Sequence, residues 1–98
     1  MVTLEADGRI VFRIYAPRAR EVLVVGAFEQ WWEQRIPMTA GFGGVWHLRL
    51  HPGPGEFLFR YLIDRETWAT DDAAHGTREV RGTHKSRVWC PIPGGLAA

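Results

Sequence analysis

The sequence predicts an all-β protein, an antiparallel β-sandwich. Apolar residues alternate with period two in several separate segments. Gly/Pro-rich turns separate those segments about every 10 to 15 residues. No segment holds a 3.6-residue period long enough for a helix. Short strands at this spacing, each with one apolar face, are stable when two sheets bury those faces against each other.

The elements follow in order. In "RIVFRIYAP", Ile10, Phe12 and Ile14 share one face, Val11, Arg13 and Tyr15 the other, and Pro17 ends the strand. "EVLVVGAF" is a β-branched run bounded by Gly26, which reads as a more central strand. "GFGGVW" over 41–46 reads as a hairpin turn, because no helix follows it to offer amide groups to a phosphate. In "GVWHLRL", Trp46, Leu48 and Leu50 face the core and His47 and Arg49 face away. After the turn "HPGPGE", the strand "EFLFRYLID" sets Phe57, Phe59, Tyr61 and Ile63 on one face and Leu58, Arg60 and Leu62 on the other. The last strand is "HKSRVWC", closed by "PIPGG".

Composition bounds the function. Ninety-eight residues make one domain, expected over residues 1–90 and followed by a Pro/Gly-rich tail over 91–98. A net charge of +1 with scattered Lys and Arg gives no field that would recruit nucleic acid or a membrane. The lone Cys90 excludes an internal disulfide framework and fits a reducing cytoplasm. No apolar stretch approaches the ~20 residues of a membrane span. The opening "MVTLEADGRI" lacks the basic and apolar regions of a signal peptide. The expected location is cytoplasmic.

Catalytic chemistry finds little support. His47, His51, His75 and His84 have no zinc-like spacing, and one cysteine supplies no thiolate cluster. Asp64, Glu66, Asp71 and Asp72 read as turn formers and solubilising groups; a glycosidase would need two carboxylates across a cleft. Ser86 and Cys90 lack a partnered histidine and acid. Neither a metal nor a cofactor is implied.

The aromatic residues are more informative. "GAFEQWW" puts Trp31 and Trp32 in a polar stretch after a strand, and "DRETWATDD" does the same for Trp68. A flat ring in a polar setting suits a sugar, whose C–H face lies on an indole while its hydroxyls bond nearby donors such as Arg60. Trp32 is expected to pack inward, and Trp46 and Trp89 to pack in the core or at its rim.

Read together and in order, "VFRIYAPRAREVLVVGAFEQW", "MT", "GVWHLRLHPGPGEFLFRYLID", Trp68, Asp71–Asp72 and "GTHKSRV" resemble the glycogen/starch-binding modules of carbohydrate-binding module family forty-eight. Such modules occur at the N-terminus of branching enzymes and isoamylases and in the β subunit of AMP-activated protein kinase. The resemblance covers about residues 10–90. It implies an immunoglobulin-like sandwich of the early-set type and non-catalytic binding of α-1,4-linked glucan. By position, it implies that Trp31 and Trp68 stack on glucose. Arg60 stands where the family often has a lysine that bonds sugar hydroxyls, and Thr83 matches a threonine near the ligand. Lys85 replaces an asparagine that bonds two hydroxyls, and lysine donates without accepting. Arg81 replaces an apolar residue that enters the helical turn of the glucan. The loop before Trp68 is one residue longer than usual. The expected partners are an α-glucan and a glucan-metabolising enzyme. An alternative reading is a protein-interaction adaptor whose aromatic patch docks an enzyme or kinase domain.

Overall fold

A computed structural model describes residues 1–28, 32–71 and 76–90. Its strands are Val2–Leu4 (β1), Ile10–Tyr15 (β2), Val22–Gly26 (β3), Gln34–Pro37 (β4), Thr39–Ala40 (β5), Val45–Leu50 (β6), Gly55–Ile63 (β7), Thr67–Ala69 (β8), Thr77–Val80 (β9) and Thr83–Cys90 (β10). They form two antiparallel sheets, one ordered β1-β2-β6-β5 and the other β4-β3-β7-β10-β9, with β8 paired to β7. This is the all-β sandwich that the alternation predicts, of the immunoglobulin-like kind that the family resemblance implies. The expected tail, residues 91–98, lies outside the described residues.

The core is built from the inward phase of each long strand. Ile10, Phe12, Val22, Val24, Phe59, Tyr61 and Val88 are buried in one cluster. Trp46, Leu48, Leu50, Phe57 and Ile63 pack partly buried against it. The two sheets meet where Phe12 of β2 sits edge-to-face on Phe59 of β7, centroids 4.9 Å apart. That is the favoured geometry for an aromatic pair, contributing about 0.5–1.5 kcal/mol beyond area burial. Phe28 extends the stack, 5.6 Å from Phe12.

Two expectations change. Asp71 is no solubilising group: it is buried, and its carboxylate accepts a 2.7 Å hydrogen bond from the Tyr61 hydroxyl. Its backbone N–H donates to the Ser86 hydroxyl. These bonds satisfy a core tyrosine and serine that alternation carries inward. Burial first, and then the Asp71 carboxylate, push the Tyr61 hydroxyl far above its ordinary range. The second change is Trp89, which is 52% exposed. Val88 and Cys90 are buried on either side of it, so the pleat turns Trp89 outward.

The β7–β8 turn is locked to the opposite end of β3. Asp64 and Arg65 both have left-handed backbones, φ 52° and 60°. Asp64 accepts from the backbone N–H groups of Arg20 (2.7 Å) and Glu21 (2.9 Å), and its own N–H donates to Glu21 O. Arg65 adds an ion pair to Glu21 at 2.8 Å. The N–H of Glu21, and then that of Arg20, hold the Asp64 carboxyl below its ordinary pKa.

At Gly26, where β3 crosses β7, a Cβ would lie 2.7 Å from the Leu58 carbonyl oxygen and 2.9 Å from the Phe28 ring. Gly26→Ala should therefore destabilise the fold by about 1–3 kcal/mol, seen as a lower urea midpoint at unchanged slope. Asp64 supplies an acid-sensitive contribution. Its depressed folded pKa means that the folded state binds fewer protons, so its stabilisation is full above the unfolded carboxyl range and lost as pH falls through the folded pKa. Urea titrations from pH 6 down through about pH 3 should show a steeper acid loss for the wild type than for Asp64→Asn. Parallel curves would remove Asp64 from that role.

Candidate functional site

The candidate site is the outer face of the six-stranded sheet. Alternation along β7 turns Leu58, Arg60 and Leu62 away from the core. On β3 it does the same for Leu23 and Val25, which form with Leu62 a small second apolar cluster. This cluster is the floor of the site. The pairing register places Arg35 of β4 beside Val25, and Val25 beside Arg60. Trp68 of β8 stands opposite Leu62. Ser86 pairs with Phe59, so Lys85 is the next position on β10, alongside Arg60.

Arg60 and Trp68 are in direct contact. The Arg60 guanidinium carbon lies 3.8 Å from the Trp68 ring centroid, a cation–π stack. Its Nε is shut off from solvent and has no hydrogen-bond acceptor among the described residues, whereas Trp68 is 42% exposed. The indole therefore covers the guanidinium rather than lying beneath it. The Arg35 guanidinium carbon lies 6.0 Å from the centroid of the same ring. The alkyl and apolar floor, a planar cation and an exposed ring make a layered shelf.

The remaining expected residues fall as follows. Lys85 pairs with Glu33 at 3.1 Å and its side chain is only 18% exposed. It is a half-buried, neutralised group that ties β10 to the loop before β4. Thr83 opens β10, pairs with Val80 and shares the outward phase of Lys85. Arg81 and Gly82 form the two-residue tip of the β9–β10 hairpin, φ 51° and 81°. Two left-handed residues are what a type I′ hairpin turn requires. The structure thus brings Arg60 and Trp68 into contact and Lys85 beside them, and sets Thr83 further along the same strand and Arg81 at the hairpin tip beyond it. Trp31 lies outside the described residues. Trp32 is corrected: it does not pack inward but is 50% exposed.

Two participants escape a reading of the residues alone. Arg35 and Glu33 sit in "WEQRIP", which carries no alternation long enough to signal a strand. Only the β3–β4 register brings them to Trp68 and Lys85. Further along the sheet, Glu56 bridges Arg87 (2.9 Å) and Arg78 (3.2 Å). A depression of about 600 Å³ lies elsewhere. It is on the outer face of the other sheet, lined by Val11, Arg13, Phe42 and His47. The Trp68 face is an open shelf, a shape suited to one side of a polymer rather than to an enclosed small molecule. Among the described residues, no three His, Cys, Asp or Glu side chains gather as a metal site. No helix among those residues is long and apolar enough to cross a membrane.

The profile of carbohydrate-binding module 48, the isoamylase N-terminal domain, matches residues 2–81. The chain belongs to this family. The match ends at Arg81, so Thr83 and Lys85 lie beyond it. The chain is 35% identical over 71 residues to the 1,4-α-glucan branching enzyme of Nitrosospira multiformis, covering 70% of this chain and 10% of that enzyme. It is 45% identical over 64 residues to that of Cereibacter sphaeroides, covering 61% and 8%. Among solved structures it is similar to a pullulanase from an Anoxybacillus species complexed with maltotetraose. There the TM-score is 0.69 at 25% identity, covering 89% of this chain and 13% of the pullulanase. A Paenibacillus barengoltzii pullulanase, in complex with maltohexaose and α-cyclodextrin, gives a TM-score of 0.63 at 26% identity, over 87% and 14%. The chain thus spans about a tenth of the length of these enzymes.

The stack should be measurable apart from any ligand. A double-mutant cycle of Arg60→Met and Trp68→Leu in urea unfolding should give a coupling energy of about 0.5–1 kcal/mol. Additive losses would mean that the two side chains are neighbours without interaction.

Proposed function

We propose that this carbohydrate-binding module holds α-1,4-linked glucan on the outer face of its six-stranded sheet and performs no chemistry on it. The observation that carries the reading is the Trp68 ring, exposed on one side and backed by Arg60 on the other. Covering roughly 60 Å² of indole with the C–H face of a glucose contributes about 1.5 kcal/mol at ~25 cal/mol per Å². Sugar hydroxyls then meet the donors around the ring, with Lys85 and Thr83 on β10 and Arg81 at the hairpin tip beyond them. Trp31 enters the proposal through the family resemblance as the second stacking ring. Arg60 acts mainly by fixing the plane of Trp68, because its Nε is already enclosed. Contacts of this size are individually weak, and repetition along a polymer supplies avidity. Family membership and the maltooligosaccharide complexes of similar pullulanases support the ligand class. We further propose that the module serves as an accessory to a glucan-active enzyme.

The test is co-sedimentation with glycogen together with tryptophan fluorescence during titration with maltoheptaose. The wild type should bind, and Trp68→Ala should weaken binding about tenfold, the equivalent of ~1.4 kcal/mol. Trp89→Ala is the control. Trp89 pairs with Glu56 and Trp68 with Leu62, about 20 Å apart along β7 at ~3.4 Å per residue. Its loss should cost much less. Unchanged binding by Trp68→Ala would overturn the proposed platform. Failure of the wild type to bind any α-glucan would overturn the proposed function.

A further inference from the structure

The charges on the Trp68 face are unevenly matched. Among the described residues, Lys85 is neutralised by Glu33, and Glu56 serves both Arg78 and Arg87. Arg35 and Arg60 form no ion pair among those residues, yet both guanidiniums point at one indole, at 6.0 and 3.8 Å. Arg81, at the hairpin tip, has no carboxylate partner among them either. Among the described residues, the outer face therefore carries Arg35, Arg60, Arg78, Lys85 and Arg87 against Glu33 and Glu56. The whole chain is only +1. Gathering two like charges around one ring costs electrostatic free energy unless an anion joins them. Among the described residues, the buried Arg60 Nε–H also has no acceptor, which adds to the demand for negative charge nearby.

Neutral glucose offers no such anion. A glucan esterified with phosphate does, since it presents an apolar ring face and a dianionic group on the same residue. We propose, building on the glucan-binding reading above, that the shelf prefers α-glucan bearing phosphate monoesters. The glucose ring lies on Trp68, and the phosphate oxygens meet the exposed guanidinium of Arg35 and the rim of Arg60. Planar guanidinium groups match phosphate oxygens in pairs and hold their charge at any working pH. Arg81 adds a further unneutralised cation toward the hairpin end of the sheet.

Affinity electrophoresis of the full chain tests this in native gels holding one of three polymers. They are a phosphorylated amylopectin, the same amylopectin after enzymatic dephosphorylation, and polygalacturonate as a polyanion without glucan. The phosphorylated polymer should retard the chain roughly fivefold more strongly than its dephosphorylated form at ~50 mM salt, with the gap closing as salt screens the contact. Arg35→Gln and Arg81→Gln should each shrink that ratio. Equal retardation by both amylopectins overturns this inference and leaves the glucan reading standing. Retardation by neither overturns both. Retardation by polygalacturonate as strong as by the phosphorylated glucan overturns it too, since charge alone would then explain the binding.

Discussion

The structure depends on strand β7, nine residues long and paired on both sides. Its inward phase supplies Phe57, Phe59, Tyr61 and Ile63 to the core. Its outward phase supplies Leu58, Arg60 and Leu62 to the shelf. One pleat thus specifies both the interior and the site, and a one-residue slip would exchange them. The register is pinned from several directions. Phe12 meets Phe59 across the sheets, Tyr61 bonds Asp71, and the turn after Ile63 is held by Asp64 against Arg20 and Glu21. Each contact lies on the core side or at the strand end. The outer face is therefore fixed by contacts that no ligand needs to touch.

Much of this arrangement was legible in the residues. The five longer strands, β2, β3, β6, β7 and β10, are long enough to show period two, and the inward residues of β2, β6 and β7 follow it. The five shorter strands run two to four residues, too few for a period to emerge. They exist because a neighbouring strand templates them. β4 even includes Pro37, tolerable because it lies at the sheet edge. For Trp89, strand phase outweighs size: Val88 and Cys90 on either side are buried and set it outward. Asp71 was different in kind. Nothing local marks it as buried, since its partners Tyr61 and Ser86 are ten and fifteen residues away.

The site was legible as a set of residue types but not as an arrangement. Trp68 and Arg60 stand out as an aromatic ring and a basic residue in polar or outward positions. Their stack depends on β8 folding back on β7 through a three-residue turn with two left-handed residues. Arg35 had no signal of its own; the β4–β3–β7 register brings it there. Lys85 as a replacement for an amide suggested a free donor. The pairing with Glu33 turns it instead into a tie between β10 and the loop that precedes β4.

The stack also explains how a ring on so short a strand can serve as a platform. β8 is joined to β7 by three residue pairs only, and a lone side chain there would sample many rotamers. Immobilising it on binding would then cost entropy that a weak sugar contact could not offset. The guanidinium beneath the indole restricts the ring before any ligand arrives. Arginine suits this role better than lysine, since a planar cation meets a planar ring over its whole face. The same contact leaves charge unneutralised at the rim of the ring. The feature that makes Trp68 a rigid surface is thus also the one that gives the surface a preference of sign.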